Sequence, residues 1–383
     1  MKILYISLNS LVIDGWGYQE NCLSKAHVKL GHEVTILTSH WIMDDKGKRS
    51  FDERNTYINE DGVKIVRLKM KGKEDYSRKF RRFIGLYESI VAERPDFIFI
   101  HSVNFVDIPV VVSYLKEHVE VKAVADNHAD FSNTARNWVS KEILHGIIWK
   151  YYAQKLIPYV KKFYGVMPAR VDFLKDVYGI PEEKTDLLVM GADDEQVQLA
   201  SNVDKRNAIR NKYGIADDDI LIMTGGKINF EKKQTITLMK VVNQLNNKKI
   251  KLIVFGSVID ELKTNINNQI SDCSKYIGWV ENRDTMSYYA AADLVVFPGR
   301  HSVFWEQVVG LGKPMVCKYW EGTTHVDLGG NVKFLYTDTE EELMQVICGI
   351  VDNKENYEEM RKVAKEKGMK EFSYLEIARK SLA

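Results

Sequence analysis

Short apolar runs alternate with helix-spaced segments twice along this chain, and that repetition limits its fold more than any other feature. In the first half Ile3 to Leu8, Glu33 to Thr38, Val63 to Leu68, Phe97 to His101 and Val121 to Ala125 are brief and rich in β-branched residues, as strands are. Between the first two, Gly15-Trp16-Gly17 reads as a turn, Gln19 to Leu30 as a helix and Gly31-His32 as its stop. The pattern restarts in Ile220 to Thr224, Lys251 to Phe255, Tyr276 to Ile277 and Leu294 to Phe297. Strands spaced by helices predict mostly parallel sheets covered on both faces, hence two doubly wound α/β domains. A chain of 383 residues also exceeds one ordinary core. The expected division is residues 1–190, a polar connection at 191–207, and a second domain at 208–370.

Ligands of doubly wound folds sit at the carboxyl ends of the strands. Gly225-Gly226, Gly256-Ser257, Gly278-Trp279 and Pro298-Gly299 all fall there. In Gly225 to Lys233, glycines at a strand-to-helix turn let backbone approach a ligand, and Lys227 and Lys232 can grip an anion. A second turn, Pro298-Gly299-Arg300-His301-Ser302-Val303, leads to Glu306-Gln307 and then Gly312-Lys313-Pro314. Two such turns predict a diphosphate held between them, with a carboxylate near a ribose. Ser302 is expected at a helix N-cap, with the His301, Ser302 and Val303 N–H groups facing phosphate; a plain capped helix is the alternative. Arg300 either reaches the sugar or phosphate or is simply exposed.

Composition excludes several classes. A net charge of +1 argues against a globally basic nucleic-acid binder. Cys22, Cys273, Cys317 and Cys348 lie far apart without CxxC or Cys/His spacing, so neither a disulfide framework nor a zinc site is expected, and a reducing cytoplasm fits. The opening apolar run is too short for a signal peptide, and no stretch reaches the length of a membrane span. Asn9-Ser10-Leu11-Val12 follows the first strand where a nicotinamide-dependent dehydrogenase needs Gly-x-Gly-x-x-Gly. No Asp-x-Asp stands at a strand end, so no metal or other cofactor is expected.

The arrangement resembles the GT-B glycosyltransferases, two Rossmann-like domains facing a cleft, and among them the retaining enzymes of family 4. Gly226-Lys227-Ile228 with Lys232-Lys233 matches their Gly-Arg-Leu…Lys-Gly signature, lysine replacing arginine. Gly31-His32-Glu33-Val34, Arg94-Pro95-Asp96, Gly191-Ala192-Asp193, Gly278-Trp279, Ala292-Asp293 and Gly312-Lys313-Pro314 follow in the family's order along nearly the whole chain. The resemblance implies a nucleotide-sugar donor on the C-terminal domain, an acceptor on the N-terminal domain, and a last helix within 371–383 that returns to the first. Lys227 and Lys232 would neutralise the diphosphate as the glycosidic bond breaks, and His128 would lie near the donor sugar. Gly15 and Gly17 would meet the donor phosphate, unless Gly-Trp-Gly is only a tight turn with a packed indole. Gly226, Gly256, Gly278 and Trp279 would line the nucleotide, with Trp16, His101 and Asp130 on the acceptor side. The family's two glutamates are not both present: the second position falls on Gln307 and the first on Gly299. Glu306 is expected to take the ribose hydroxyls through a shifted register, Gln307 sharing the work. Retention would follow same-face attack with the leaving phosphate as base.

From Lys69 to Arg82 seven basic residues face two acidic ones, a net of +5, with Phe80, Phe83, Ile84, Leu86 and Tyr87 interleaved. A solvated helix face and a contact with an anionic membrane are equally compatible with that pattern; nucleic acid is not, since no base-reading motif accompanies it. The sequence thus predicts transfer of a sugar, from UDP in the first instance, to a hydroxyl of a glycan or lipid-linked acceptor. The setting is surface polysaccharide assembly at the inner face of a bacterial plasma membrane. An inactive sugar-nucleotide-binding partner or a UDP-sugar epimerase is the alternative.

Overall fold

A computed structural model describes residues 1–44, 48–72, 80–245 and 247–382 and divides the chain into two units. The first, Met1–Val189 with Ile377–Ala383, carries β1 (Lys2–Ser7), β2 (Glu33–Ser39), β3 (Trp41–Met43), β4 (Arg49–Phe51), β5 (Thr56–Ile58), β6 (Lys64–Leu68), β7 (Phe97–Ile100), β8 (Lys122–Asn127), β9 (Lys162–Gly165) and β10 (Thr185–Leu187). Eight of these form one sheet in the order β10-β9-β8-β7-β1-β2-β6-β5, parallel except where β5 runs against β6. β3 and β4 pair separately. Central β1 is buried on both faces after Lys2, and β7 throughout, as a helix-covered parallel sheet requires. The last helix, Tyr374–Ser381, belongs to this unit from Ile377 onward. There the His27 Nε2 atom meets the Ala378 carbonyl and the Ser381 hydroxyl, each at 3.1 Å, and Lys380 Nζ donates to the Leu187 carbonyl at 2.6 Å.

The second unit, Met190–Glu376, holds β11 (Ile220–Gly225), β12 (Ile250–Phe255), β13 (Ser274–Tyr276), β14 (Leu294–Phe297), β15 (Met315–Lys318) and β16 (Val332–Leu335). All six are parallel, in the order β13-β12-β11-β14-β15-β16. Counted within the unit this is 3-2-1-4-5-6, the arrangement of dinucleotide-binding domains. Residues 191–207, expected as a connection, instead carry helix Asp194–Ala200 and the start of helix Val203–Tyr213. Their polarity comes from N-caps: Asp193 accepts from the Glu195 and Gln196 amides, and Asn202 from those of Asp204 and Lys205. Both helices pack on helix Asn282–Ala291 inside the unit.

Candidate active site

β11 and β14 are neighbours from which the sheet is built outward in opposite directions, so a crevice opens beyond their carboxyl ends. Both turns singled out in the sequence arrive there. Gly225, Gly226, Lys227, Ile228 and Lys232 line a pocket together with Pro298, Gly299 and Arg300. The turns touch: the Arg300 amide donates to the Glu231 carbonyl at 3.4 Å, and Arg300 Nη1 to Glu231 Oε1 at 2.8 Å. Burial foremost, and then the Arg300 charge, pushes the half-buried Lys232 ammonium down, with Glu231 partly opposing. Burial leaves that ammonium without a full hydration shell. Lys227 is exposed on the rim.

Glycine is obligatory at Gly256 for packing. Its φ is +118°, and a Cβ there would stand 2.0 Å from the Gly226 carbonyl oxygen. Its amide donates to the Gly278 carbonyl at 2.7 Å, so three strand-end turns are stitched side by side. Gly256→Ala is expected to destabilise the protein by roughly 3 kcal/mol or more, combining backbone strain with overpacking; an unchanged urea midpoint would contradict this. Gly226 (φ +116°) lies under Phe304 and near Lys232 Nζ, while Gly278 (φ +75°) is open and places Trp279, 71% exposed, at the surface.

Two expectations on the second turn need correction. The helix after it runs Phe304–Gly310 with Val303 at the N-cap and no side-chain cap, and the Ser302 hydroxyl is buried without a hydrogen-bond partner among the described residues. At seven residues this helix is also too short to supply a strong dipole. Glu306 does not face the pocket. It is wholly buried, and its Oε1 accepts from His301 Nε2 at 2.8 Å and His325 Nε2 at 3.0 Å. Burial pushes the carboxyl up, but His301 and then His325 outweigh it and hold Glu306 well below the usual carboxylate range. Its neighbour Gln307 is half-buried and keeps solvent access. His325, in the turn Thr324–Val326, was not singled out by sequence, because nothing local connects it with His301.

In the first unit, β7 and β8 end beside one another and deliver a second cluster. Asp126 accepts from His101 Nδ1 at 3.0 Å, His128 Nε2 at 3.2 Å and the Ser102 amide at 2.7 Å. Burial pushes His101 down, but Asp126 foremost and Glu20, 3.7 Å away, carry it up to about 9. Burial also lowers His128, with Asp126 opposing. His128 is the accessible member, its side chain 28% exposed. His101 is buried and holds Asp126. Asp130 is also taken: Ser132 and Asn133 occupy Oδ1, and Arg170 Nε lies 2.9 Å from Oδ2. These contacts fix the loop after β8. The Gly15 loop is pinned through Asp14, whose Oδ2 is 3.0 Å from Arg54 Nη2, with Trp16 half-buried against Tyr18. Glu20, at the start of helix Gln19–Lys29, went unremarked in the sequence, where its spacing looks like ordinary helix.

A parallel sheet in this strand order, with basic groups over glycine turns at its switch point, defines a nucleotide-binding domain. Residues 22–196 match the description Glycosyltransferase Family 4, and residues 219–353 match Glycosyl transferases group 1. The chain belongs to the family 4 type of GT-B glycosyltransferase and is a glycosyltransferase. No curated protein matches the sequence significantly. Among solved structures, a glycosyltransferase from Rickettsia africae is similar with TM-score 0.70 at 16% identity, covering 100% of this chain and 96% of that one. HepE from Anabaena, in complex with UDP, gives 0.68 at 16% identity, covering 100% and 98%. The UDP-GlcNAc 2-epimerase of Neisseria meningitidis, bound to UDP-GlcNAc, gives 0.60 at 13% identity, covering 100% and 99%. At such identities the likeness is one of fold.

Proposed function

We propose that the protein transfers a sugar from a UDP-sugar to a hydroxyl of a glycan or lipid-linked acceptor, with retention of anomeric configuration, in surface polysaccharide synthesis of a bacterium. One observation carries the reading: the turns after β11 and β14 share a pocket lined by Lys227, Lys232 and Arg300. In it Lys232 and Arg300 would hold the diphosphate and stabilise its growing charge as the sugar leaves, with no metal ion in the transfer step. Gln307 replaces Glu306 as the group offered to the ribose, and Trp279 is exposed where a base could stack. His128, oriented by Asp126, has Nδ1 left to meet a substrate hydroxyl. Gly15, Gly17 and Trp16 keep the donor and acceptor roles the family implies. Family membership supports the reaction class; the donor, acceptor and stereochemistry are our assignment.

The test is to incubate the protein with a panel of UDP-, GDP- and ADP-sugars, with and without lipid-linked and oligosaccharide acceptors, and to read products by mass spectrometry and anomeric NMR. Epimerised donor without transfer would mark an epimerase instead, and donor binding without any turnover an inactive partner. Added Mg²⁺ or Mn²⁺ should leave the transfer rate unchanged. The lowered Lys232 also sets a pH dependence. A bound diphosphate favours the charged ammonium, so UDP affinity is expected to fall as pH rises, starting below the ordinary lysine value of about 10.4. Lys232→Arg should flatten that fall in titration calorimetry, because guanidinium stays charged; identical profiles would remove Lys232 from the site.

The segment Lys69–Arg82 is proposed to meet an anionic membrane, though its residues 73–79 lie outside the described residues. In support, Phe80 and Ile84 are exposed next to exposed Arg82, and Trp138, Val139 and Ile147 are exposed on and beside helix Val139–Trp149. Among the described residues no helix is long and apolar enough to cross a membrane. Co-sedimentation with phosphatidylglycerol vesicles but not phosphatidylcholine ones is the expected result.

A further inference from the structure

Two histidine–carboxylate clusters occur among the described residues, and they differ in one respect. In His101–Asp126–His128 both carboxylate oxygens are satisfied, Oδ1 by the Ser102 amide and Oδ2 by the imidazoles. In His301–Glu306–His325 both imidazoles crowd onto Oε1, while Glu306 Oε2 and His325 Nδ1 are buried with no hydrogen-bond partner among the described residues. The cluster is dry: side-chain exposure is 0% at Glu306, 2% at His325 and 12% at His301. An ionised oxygen in such a place calls for a further cation or donor.

We propose that His301, Glu306 and His325 form a site for a divalent transition-metal ion, zinc being the best fit. Two imidazoles and one carboxylate are donors that suit zinc and disfavour magnesium or calcium. Their ligand atoms lie within 4.8 Å of one another. Tetrahedral zinc, with bonds of about 2.0–2.2 Å, separates its ligands by roughly 3.3 Å. The present 2.8 and 3.0 Å spacings need open by only a few tenths of an ångström, and the unpartnered Oε2 can rotate toward the ion. Three protein ligands leave a fourth position for water. His301 directly follows Arg300, and His325 lies in the connection after β15, the neighbour of β14. The ion therefore ties together two strand connections and fixes the pocket wall Pro298–Arg300 from behind. It has no part in holding the diphosphate.

The test uses the full chain, stripped with chelator and titrated with Co²⁺ in the absence of nucleotide. One equivalent is expected to bind with the visible d–d absorption of a four- or five-coordinate site and to be displaced by Zn²⁺. His325→Ala should weaken Co²⁺ binding by about 100-fold or more, while His101→Ala, in the other cluster, should leave it unchanged. Should His325→Ala fail to fold, His301→Ala, at the least buried ligand, carries the same expectation. No stoichiometric Co²⁺ or Zn²⁺ on the wild-type protein, or binding lost in His101→Ala and kept in the other variants, overturns the proposal. Since nucleotide is absent, its failure is separate from failure of the transfer reaction.

Discussion

Lys232→Ala is expected to lower kcat/KM for sugar transfer by about 10²–10³-fold, the range seen when one preorganised donor to a developing oxyanion is removed. The ammonium sits near the Gly226 turn, the Lys232 backbone packs against Gly299, and Arg300 lines the same pocket, which both glycine turns form. Burial already lowers its affinity for a proton, so its charge is poorly hydrated before a ligand arrives and gains most when a diphosphate neutralises it. The same burial means that alanine there costs the fold little. The unfolding midpoint should move by no more than about 0.5 kcal/mol equivalent. Unchanged turnover with intact folding would remove this pocket from the chemistry.

Asp126→Asn is expected to destabilise the protein by about 3–5 kcal/mol, the cost of taking one partner from a buried ion pair. Asparagine keeps the shape, but His101 loses its main counter-charge and retains only Glu20, and His128 loses its ionic partner. The wild-type protein carries a pH signature of this pair. His101 is raised to about 9 from an unfolded value near 6.5, so its contribution is complete below about 6.5 and is lost as pH rises through about 9. Chemical denaturation between pH 6 and 10 should show that decline in the wild type and a flatter curve in Asp126→Asn. Equal slopes would mean that the pair is not charged in the folded state.

Much of the molecule was legible in one dimension. Alternation of β-branched runs with helical spacing located β1, β2, β6, β7, β8, β11, β12 and β14 to within a residue or two. It passed over β9, β10, β15 and β16, which are only three or four residues long. Gly225-Gly226 and Pro298-Gly299 could be expected at one pocket because a doubly wound sheet brings strand ends together whatever the side chains are. The polar run at 191–207 misled, since Asp193 and Asn202 serve as helix caps as readily as loop residues.

What the sequence by itself determined is the backbone plan: two Rossmann-like units and the glycine turns where phosphate can approach. Those follow from local periodicity and from φ values that only glycine adopts cheaply. The tertiary structure alone decided how polar side chains are used. On helix Phe304–Gly310 consecutive residues point about 100° apart, so one step in register separates Glu306, buried against two histidines, from Gln307, which keeps access to solvent. Asp130 and Arg170 are 40 residues apart, and His301 and His325 are 24; their pairing is set by which strands are neighbours, information that no local pattern of residues contains.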